Sequence, residues 1–122
     1  MKRKDNELPE AIEKWGWRYH HLGIPTNIPQ KNERYIPHLG IYVSGFNSSP
    51  FGIEWMRFDA NCAIPELIKT TPHIAFVVDD LSSAIKGKEL LSEINSPSEG
   101  LKVAMIVHNG APVELMEFSN KK

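Results

Sequence analysis

The sequence contains a single cysteine, almost no net charge and no long apolar segment. Because Cys62 has no second cysteine to pair with, a disulfide within the chain is excluded. Fourteen Lys and Arg against fifteen Asp and Glu leave a formal charge of −1, without the basic excess that favours binding to nucleic acid. The longest apolar runs, 74–78 and 103–107, have five residues each, whereas a helix that crosses a membrane needs about 20. We therefore expect neither a nucleic acid nor a membrane as a partner.

The first residues also lack the apolar stretch of a secretory signal, since residues 1–6 are almost all polar or charged. Together with the absence of disulfides, this leads us to expect a cytoplasmic protein. The chain has 122 residues, of which 41% are hydrophobic and 24% are charged. This size and composition are typical of one globular domain, so residues 1–122 are predicted to form a single domain.

Eight glycines and nine prolines divide the chain into short segments of β type. A polar tail with one short helix is predicted before residue 19, and the charged, proline-containing segment 27–37 is interpreted as a loop. Asp79 and Asp80 provide an N-cap for a short helix that is predicted to reach about Leu91. The predicted strands are 19–25, 38–44, 51–59, 73–78, 101–107 and 112–118, with a further short strand at 93–96.

The second half of the chain repeats features of the first half. The segment Ile-Glu-Trp-Met-Arg-Phe at 53–58 returns as Val-Glu-Leu-Met-Glu-Phe at 113–118, with Glu, Met and Phe identical at alternate positions. His-Leu-Gly-Ile at 21–24 is echoed by His-Ile-Ala-Phe at 73–76. Each half therefore opens with a strand that carries a histidine and closes with a strand that carries a glutamate.

Strand alternation indicates which of these side chains can meet. Glu54 shares its face with a Met and a Phe, as does Glu114, and a carboxylate among apolar side chains is costly unless something compensates its charge. His21 and His73 each share their face with a small residue two places along, which is expected to leave volume above the sheet. His20 is expected on the opposite face, although a shift of one residue in register would exchange its position with that of His21.

Two imidazoles and two carboxylates that converge form a site for a divalent transition metal, with positions left for water or substrate oxygens. Donors of this kind suit Zn, Ni, Co, Fe or Mn, and the absence of thiolate argues against a closed structural zinc site. A bound cation would also offset the cost of burying two carboxylates. The predicted metal ligands are one histidine and one glutamate from each half of the chain: His21, Glu54, His73 and Glu114.

At these residues the sequence resembles the vicinal oxygen chelate superfamily, which includes glyoxalase I, methylmalonyl-CoA epimerase, extradiol dioxygenases and the fosfomycin and bleomycin resistance proteins. His21 and His73 match the ligand on the first strand of each module of that superfamily. Glu54 and Glu114 match the ligand on its fourth strand. The segment 109–114 is similar to the final hairpin of the superfamily, and the resemblance as a whole covers nearly the entire chain.

The resemblance implies an α+β fold in which two paired βαβββ modules form a curled mixed sheet around a central cup. The modules correspond to about residues 19–60 and 71–119, preceded by the short N-terminal helix and tail. The helix of the first module is expected to be reduced or lost, because the predicted loop at 27–37 occupies its place. A ligand set of His, Glu, His and Glu resembles the lyase and isomerase branches of the superfamily.

These branches imply a metal-dependent lyase or isomerase that binds a small-molecule substrate through two neighbouring oxygens and stabilises an enediolate. As in glyoxalase I, either Glu54 or Glu114 would act as the general base. Two alternatives stay open: a non-catalytic protein that binds or sequesters a small molecule, and a metal-dependent dioxygenase, against which the fourth protein ligand argues. The aromatic N-terminal segment favours a homodimer, and the cup could be completed within one chain or across that dimer.

Other charged and imidazole side chains are expected mainly at the surface. Arg18, Arg34 and Arg57 could meet an anionic substrate, although solvated side chains are the ordinary expectation for arginine and Arg57 is predicted to face away from the cup. His38 and His108, at a strand start and a turn, are predicted to be surface residues.

Overall fold

The structure, a computed structural model, describes residues 2–119, and the strands within this range form one eight-stranded mixed sheet. Met1 and residues 120–122 of the predicted domain lie outside the described range. The helices are α1 (Glu10–Glu13), α2 (Glu66–Thr70) and α3 (Leu81–Ala84), with a 3₁₀ turn at Phe46–Ser48. The strands are β1 (Arg18–Pro25), β2 (Arg34–Ile36), β3 (Ile41–Ser44), β4 (Ile53–Phe58), β5 (His73–Val77), β6 (Glu89–Leu90), β7 (Leu101–His108) and β8 (Ala111–Phe118).

The sheet consists of two copies of one four-stranded arrangement, which we call module 1 (β1–β4) and module 2 (β5–β8). The strand order is β2-β3-β4-β1-β5-β8-β7-β6. The opening and closing strands pair in parallel in each module, β1 with β4 and β5 with β8, while β1 and β5 run antiparallel at the centre. The sheet curls around a central cup, which confirms the predicted α+β architecture.

Module 1 has lost the helix that module 2 retains. Between β1 and β2 the described residues contain no helix, as expected, whereas α3 separates β5 from β6. Asp80 is the N-cap of α3, and its carboxylate accepts a hydrogen bond from the backbone N–H of Ser83.

Several local predictions differ from the structure. The helix predicted to reach Leu91 ends at Ala84, and turns through Gly87, whose φ is +72°, lead into β6; glycine adopts this left-handed conformation without the steric cost that other residues carry. β2 lies inside the predicted loop, and α2 was not predicted. The predicted strand at 93–96 is reduced to a single bridge between Asn95 and Val103.

The convex face of the sheet is covered in module 2 but not in module 1. Phe76 and Leu115 are buried in an apolar cluster that includes residues of α3 and is packed against by Trp17. By register, the equivalent pair in module 1 is Ile24 and Trp55, and Trp55 is 37% exposed. The missing helix of module 1 explains this difference.

The cup face is closed in part by α2, which links the modules. Ile68 of α2 is 2% exposed and belongs to an apolar cluster with Met56 of module 1 and Met105 of module 2. In the described part of the chain, no helix has the length and hydrophobicity needed to cross a membrane.

Candidate metal centre

Two rows of residues across the central strands carry the predicted ligands. Each row crosses three neighbouring strands. A glutamate and a histidine lie on the two outer strands, and a small residue lies between them on the middle strand. The rows are Glu54–Gly23–His73, on β4, β1 and β5, and His21–Ala75–Glu114, on β1, β5 and β8.

Gly23 makes room for the imidazole ring of His73. A β-carbon at Gly23 would lie 2.1 Å from Cε1 of His73, so a larger residue would displace the ring. Nδ1 of His73 is buried and has no hydrogen-bond partner among residues 2–119, which means that packing rather than hydrogen bonding to this atom orients the ring. The small residue was expected to leave volume above the sheet, and in the structure the imidazole ring of His73 from the neighbouring strand occupies the volume above Gly23.

The structure brings His21, His73 and Glu114 together in a buried cluster, which we call the His-His-Glu cluster. Nε2 of His73 lies 2.8 Å from Oε1 of Glu114, and Nε2 of His21 lies 3.2 Å from the same oxygen. One potential ligand atom from each residue lies within 4.8 Å of the other two. The three residues are only 3%, 1% and 8% exposed, respectively. They could bind a metal ion together.

Charge is distributed unevenly over this cluster. Burial raises the pKa of the Glu114 carboxyl, but hydrogen bonds from His21 and His73 outweigh burial and hold that pKa at about 2. Burial lowers the pKa of His21, but the hydrogen bond to Glu114 and the charge of its carboxylate raise the pKa of His21 above its ordinary value. Glu114 is therefore ionised at neutral pH, between two imidazoles that both donate to it.

Glu54, the predicted fourth ligand, lies beside the cluster. Its Oε1 is 3.5 Å from Nε2 of His21, and its side chain is 23% exposed against 11% for Glu114. It is not among the three residues whose ligand atoms all approach one another. Burial raises the pKa of Glu54; the neighbouring His21 opposes this effect and the charge of Glu114 reinforces it. Its role as a ligand stays a prediction.

His20 lies on the cup side, contrary to the alternation expected for a regular strand. The pairing of β1 with β5 shifts register between Tyr19 and His21, and this β-bulge lets consecutive histidines share one side of the sheet. Nδ1 of His20 is 2.8 Å from Nδ1 of His21, and the ring of His20 stacks on Phe46. Since Nε2 of His21 faces the carboxylates, His21 belongs to the cluster and His20 orients its ring. Nothing in the local sequence marks the bulge.

The donor set of the cluster fits a divalent transition metal. Two imidazole nitrogens and a carboxylate oxygen are ligands that Zn, Fe(II), Co and Ni accept. A histidine that binds metal through one nitrogen usually forms a hydrogen bond through the other. His21 has such a partner in His20, whereas Nδ1 of His73 has none among residues 2–119. The donor types of His21, His73 and Glu114 therefore suit a metal site, and one of the two histidines has the usual supporting hydrogen bond.

Two residues of the cluster, His21 and Glu114, line a cavity of about 280 Å³ inside the cup, together with His20 and Glu54; His73 is not part of this lining. Beyond the histidines and glutamates, the polar side chains of its lining are Arg34, Ser92, Asn95 and Ser98. The sequence offered Arg34 as a possible anion contact, whereas the other three were not anticipated. The apolar part of the lining comes from both modules and includes Ile41, Val43, Met56, Val103, Met105 and Met116.

The other side chains considered from the sequence do not line this cavity. Arg57 faces away as predicted, and its guanidinium donates to both carboxylate oxygens of Glu33 at 2.8 and 2.7 Å. His38 and His108 are exposed, also as predicted.

Two solved structures share this architecture. The hypothetical protein BH1468 from Bacillus halodurans C-125 superposes with a TM-score of 0.66 and 17% sequence identity, over 87% of this chain and 97% of that chain. Methylmalonyl-CoA epimerase from Mycobacterium tuberculosis superposes with a TM-score of 0.56 and 21% identity, over 82% of this chain and 87% of that chain. The chain has their fold. No family model matches the sequence, and no curated protein matches it either.

At these identities the similarity shows the fold alone. It supports the glyoxalase-like architecture that the sequence resemblance implied, because methylmalonyl-CoA epimerase was one of the proteins named in that resemblance. What the chain does must be argued from its own side chains, above all from the His-His-Glu cluster and the cup that it faces.

Proposed function

We propose that the protein is a metal-dependent lyase or isomerase of the glyoxalase-like type, which binds a small substrate through two neighbouring oxygens. The observation that carries this proposal is the convergence of the buried residues His21, His73 and Glu114, of which His21 and Glu114 line an apolar cup. Glu54 completes the ligand set, and the metal is one of Zn, Ni, Co, Fe or Mn.

When bound, such a cation supplies Lewis-acid polarisation of a substrate oxygen. The protein contributes the environment in which this polarisation is useful. Its apolar walls exclude water and so strengthen electrostatic interactions inside the cup. Its carboxylates can take a proton from the carbon beside the polarised carbonyl and return it to the same or to a neighbouring carbon.

We assign the proton transfer to Glu54 rather than to Glu114. Glu114 accepts hydrogen bonds from both histidines of the cluster, so it is held in place. Glu54 has one such neighbour, His21 at 3.5 Å, and is the more exposed of the two carboxylates. A carboxylate with fewer fixed partners can move toward a substrate proton with less loss of existing interactions.

Deuterium exchange tests this assignment without requiring the natural substrate. The metal-loaded protein is incubated in D₂O with a panel of small 2-hydroxy ketones and 2-oxo acids, and incorporation beside the carbonyl is followed by NMR. Exchange by the wild type should depend on metal, and Glu54→Gln should reduce its rate by about 10²–10⁴-fold at saturating metal. Glu99→Gln, which changes an exposed glutamate, is the matched control. Equal rates for Glu54→Gln and the wild type would contradict the role of Glu54.

A metal-dependent dioxygenase is the second candidate function. The three residues that approach one another most closely are two histidines and one carboxylate, which is the facial triad of non-haem Fe(II) oxygenases. This candidate requires oxygen consumption by the Fe(II)-loaded protein with catechol-type substrates. If neither deuterium exchange nor oxygen consumption depends on metal, the remaining alternative is a non-catalytic protein that binds a small molecule in the same cup.

A further inference from the structure

The cup contains one strongly basic side chain that makes no direct contact with an acidic side chain. Arg34 on β2 is the only Lys or Arg in the lining formed by the described residues, and its side chain makes no hydrogen bond or ion pair within residues 2–119. Its charge favours the ionised form of Glu54 without a direct contact. Arg57 and Arg18 differ from it: Arg57 is bound by Glu33, and Arg18 lies 3.5 Å from Asp79. A guanidinium without a direct side-chain contact at the wall of a cavity is available to a ligand.

The duplicated sheet places a second polar group at the corresponding position of the other module. Arg34 lies opposite Val43, which lies opposite Met56. In module 2, Asn95 bridges to Val103, which lies opposite Met116. Arg34 and Asn95 therefore occupy equivalent places on the two sides of the cup. The backbone of Asn95 makes the bridge to β7, and its side-chain amide makes no hydrogen bond with a described residue.

The space between these polar groups and the metal centre is small and largely apolar. A volume of about 280 Å³ is at the lower end of the range for small-molecule pockets. Arg34 and Glu54 both line the cup and also the polar groove beside it, so the basic group and the metal centre are accessible to one small molecule. These features describe a compact ligand with an apolar body and a negative group.

We propose that the ligand is a small carboxylic acid whose apolar body fills the cup and whose carboxylate binds Arg34, with Asn95 as the second polar contact. This inference rests on the proposed function, in which two neighbouring oxygens of the same ligand face the metal centre. It adds the chemical class of the ligand: a monoanionic, mainly apolar acid. A planar guanidinium suits this task because it can donate two parallel hydrogen bonds to a carboxylate.

A matched pair of probes tests the proposal. The carboxylate 3-phenylpropanoate and the neutral 3-phenylpropanamide have the same apolar body, and their affinities are measured by calorimetry with zinc-loaded and with metal-free protein. The wild type should bind the carboxylate about tenfold more tightly than the amide. Arg34→Met should remove this preference and leave the affinity for the amide within about twofold, while Arg34→Lys should retain part of it.

Lys31→Met removes a positive charge near the cup but outside it, because Lys31 lines the adjacent groove and not the cup. It therefore controls for a general effect of positive charge on the affinity for the carboxylate. It should keep the preference of the wild type. A preference that survives in Arg34→Met would mean that the carboxylate binds the metal instead and would overturn the proposal, as would equal affinities in the wild type or no binding of either probe. If zinc itself fails to bind, the proposed function fails, and the metal-free titration still decides the role of Arg34.

Discussion

The two modules share one strand register but are stabilised in different ways. In module 2, Leu115 on the convex face is completely buried in the cluster that includes α3, whereas Trp55 at the equivalent position of module 1 is 37% exposed. Both closing strands nevertheless direct their glutamates, Glu54 and Glu114, into the cup. Sheet register therefore positions the candidate site in both modules, whereas the helix covers and stabilises the convex face of module 2 only.

The modules also hold their histidines differently. His21 of module 1 is oriented by a hydrogen bond to His20 across the β-bulge, whereas His73 of module 2 is oriented by close packing over Gly23. A duplicated sheet can therefore place two equivalent imidazoles at one site although different interactions orient each ring. The predicted homodimer, for which the uncovered face around Trp55 offers an apolar surface, stays a prediction.

The largest loss of stability is expected when Leu115, the buried residue on the convex face of module 2, is shortened to alanine. Leu115→Ala removes a fully buried side chain beneath α3 and should lower the free energy of unfolding by about 2–5 kcal/mol. The matched change Trp55→Ala should cost only about 1–2 kcal/mol, because part of that side chain already contacts solvent. Urea denaturation of the two variants measures the difference. Equal losses of unfolding free energy would show that the convex face of module 1 is also covered in solution, which would contradict the difference between the modules.

A smaller loss of stability, with a clear loss of metal binding, is expected from Gly23→Ala. The added methyl group would collide with the ring of His73 and should cost about 1–3 kcal/mol while weakening zinc binding at least about tenfold. Ala75 is the small residue of the other row, and Ala75→Gly introduces no collision. This change should lower the free energy of unfolding by about 1 kcal/mol and have little effect on zinc affinity. Zinc calorimetry separates the two variants; wild-type affinity in Gly23→Ala would show that the position of the ring is unimportant.

The two-module sheet could be predicted from the sequence because strand alternation and an internal repeat are local patterns. The segments 53–58 and 113–118 become β4 and β8 with their glutamates on the expected face. His21 and His73 were likewise expected at the site that they occupy. These predictions required no knowledge of which strands are neighbours, only that equivalent strands have equivalent roles.

The features that were missed depend on contacts between distant segments. β2 is a strand only because residues 34–36 pair with β3, although the surrounding charges and prolines resemble a loop. The bulge that brings His20 into the cup arises from the pairing of β1 with β5. α2 is fixed by the burial of Ile68 against both modules. None of these interactions is encoded in a local pattern of hydrophobicity.

The smallest effect concerns the ion pair between Arg57 and Glu33 in module 1. Arg57 holds the pKa of Glu33 at about 2. In module 2 the residue equivalent to Arg57 is Glu117, which accepts a hydrogen bond from the N–H of Leu81 in α3 and lies 3.8 Å from Lys102. Because the pKa of Glu33 is lowered in the folded protein, its stabilising effect is complete above the ordinary carboxyl pKa of about 4.5 and is lost as the pH falls toward 2.

Glu33→Gln should therefore lower the melting temperature by a small, constant amount between pH 7 and pH 5. The difference from the wild type should shrink between pH 4.5 and pH 3, which thermal melts across this range would show. A difference that grows as the pH falls would contradict the assigned ion pair.

If the duplicated sheet gathers His21, His73 and Glu114 into one metal site, a single zinc ion should bind all three side chains. Anomalous diffraction at the zinc edge from zinc-loaded crystals would locate that ion. We predict one strong anomalous peak per chain, about 2.0–2.2 Å from Nε2 of both histidines and from a carboxylate oxygen of Glu114. A peak at other residues, or no peak beside these three side chains in zinc-saturated crystals, would contradict it.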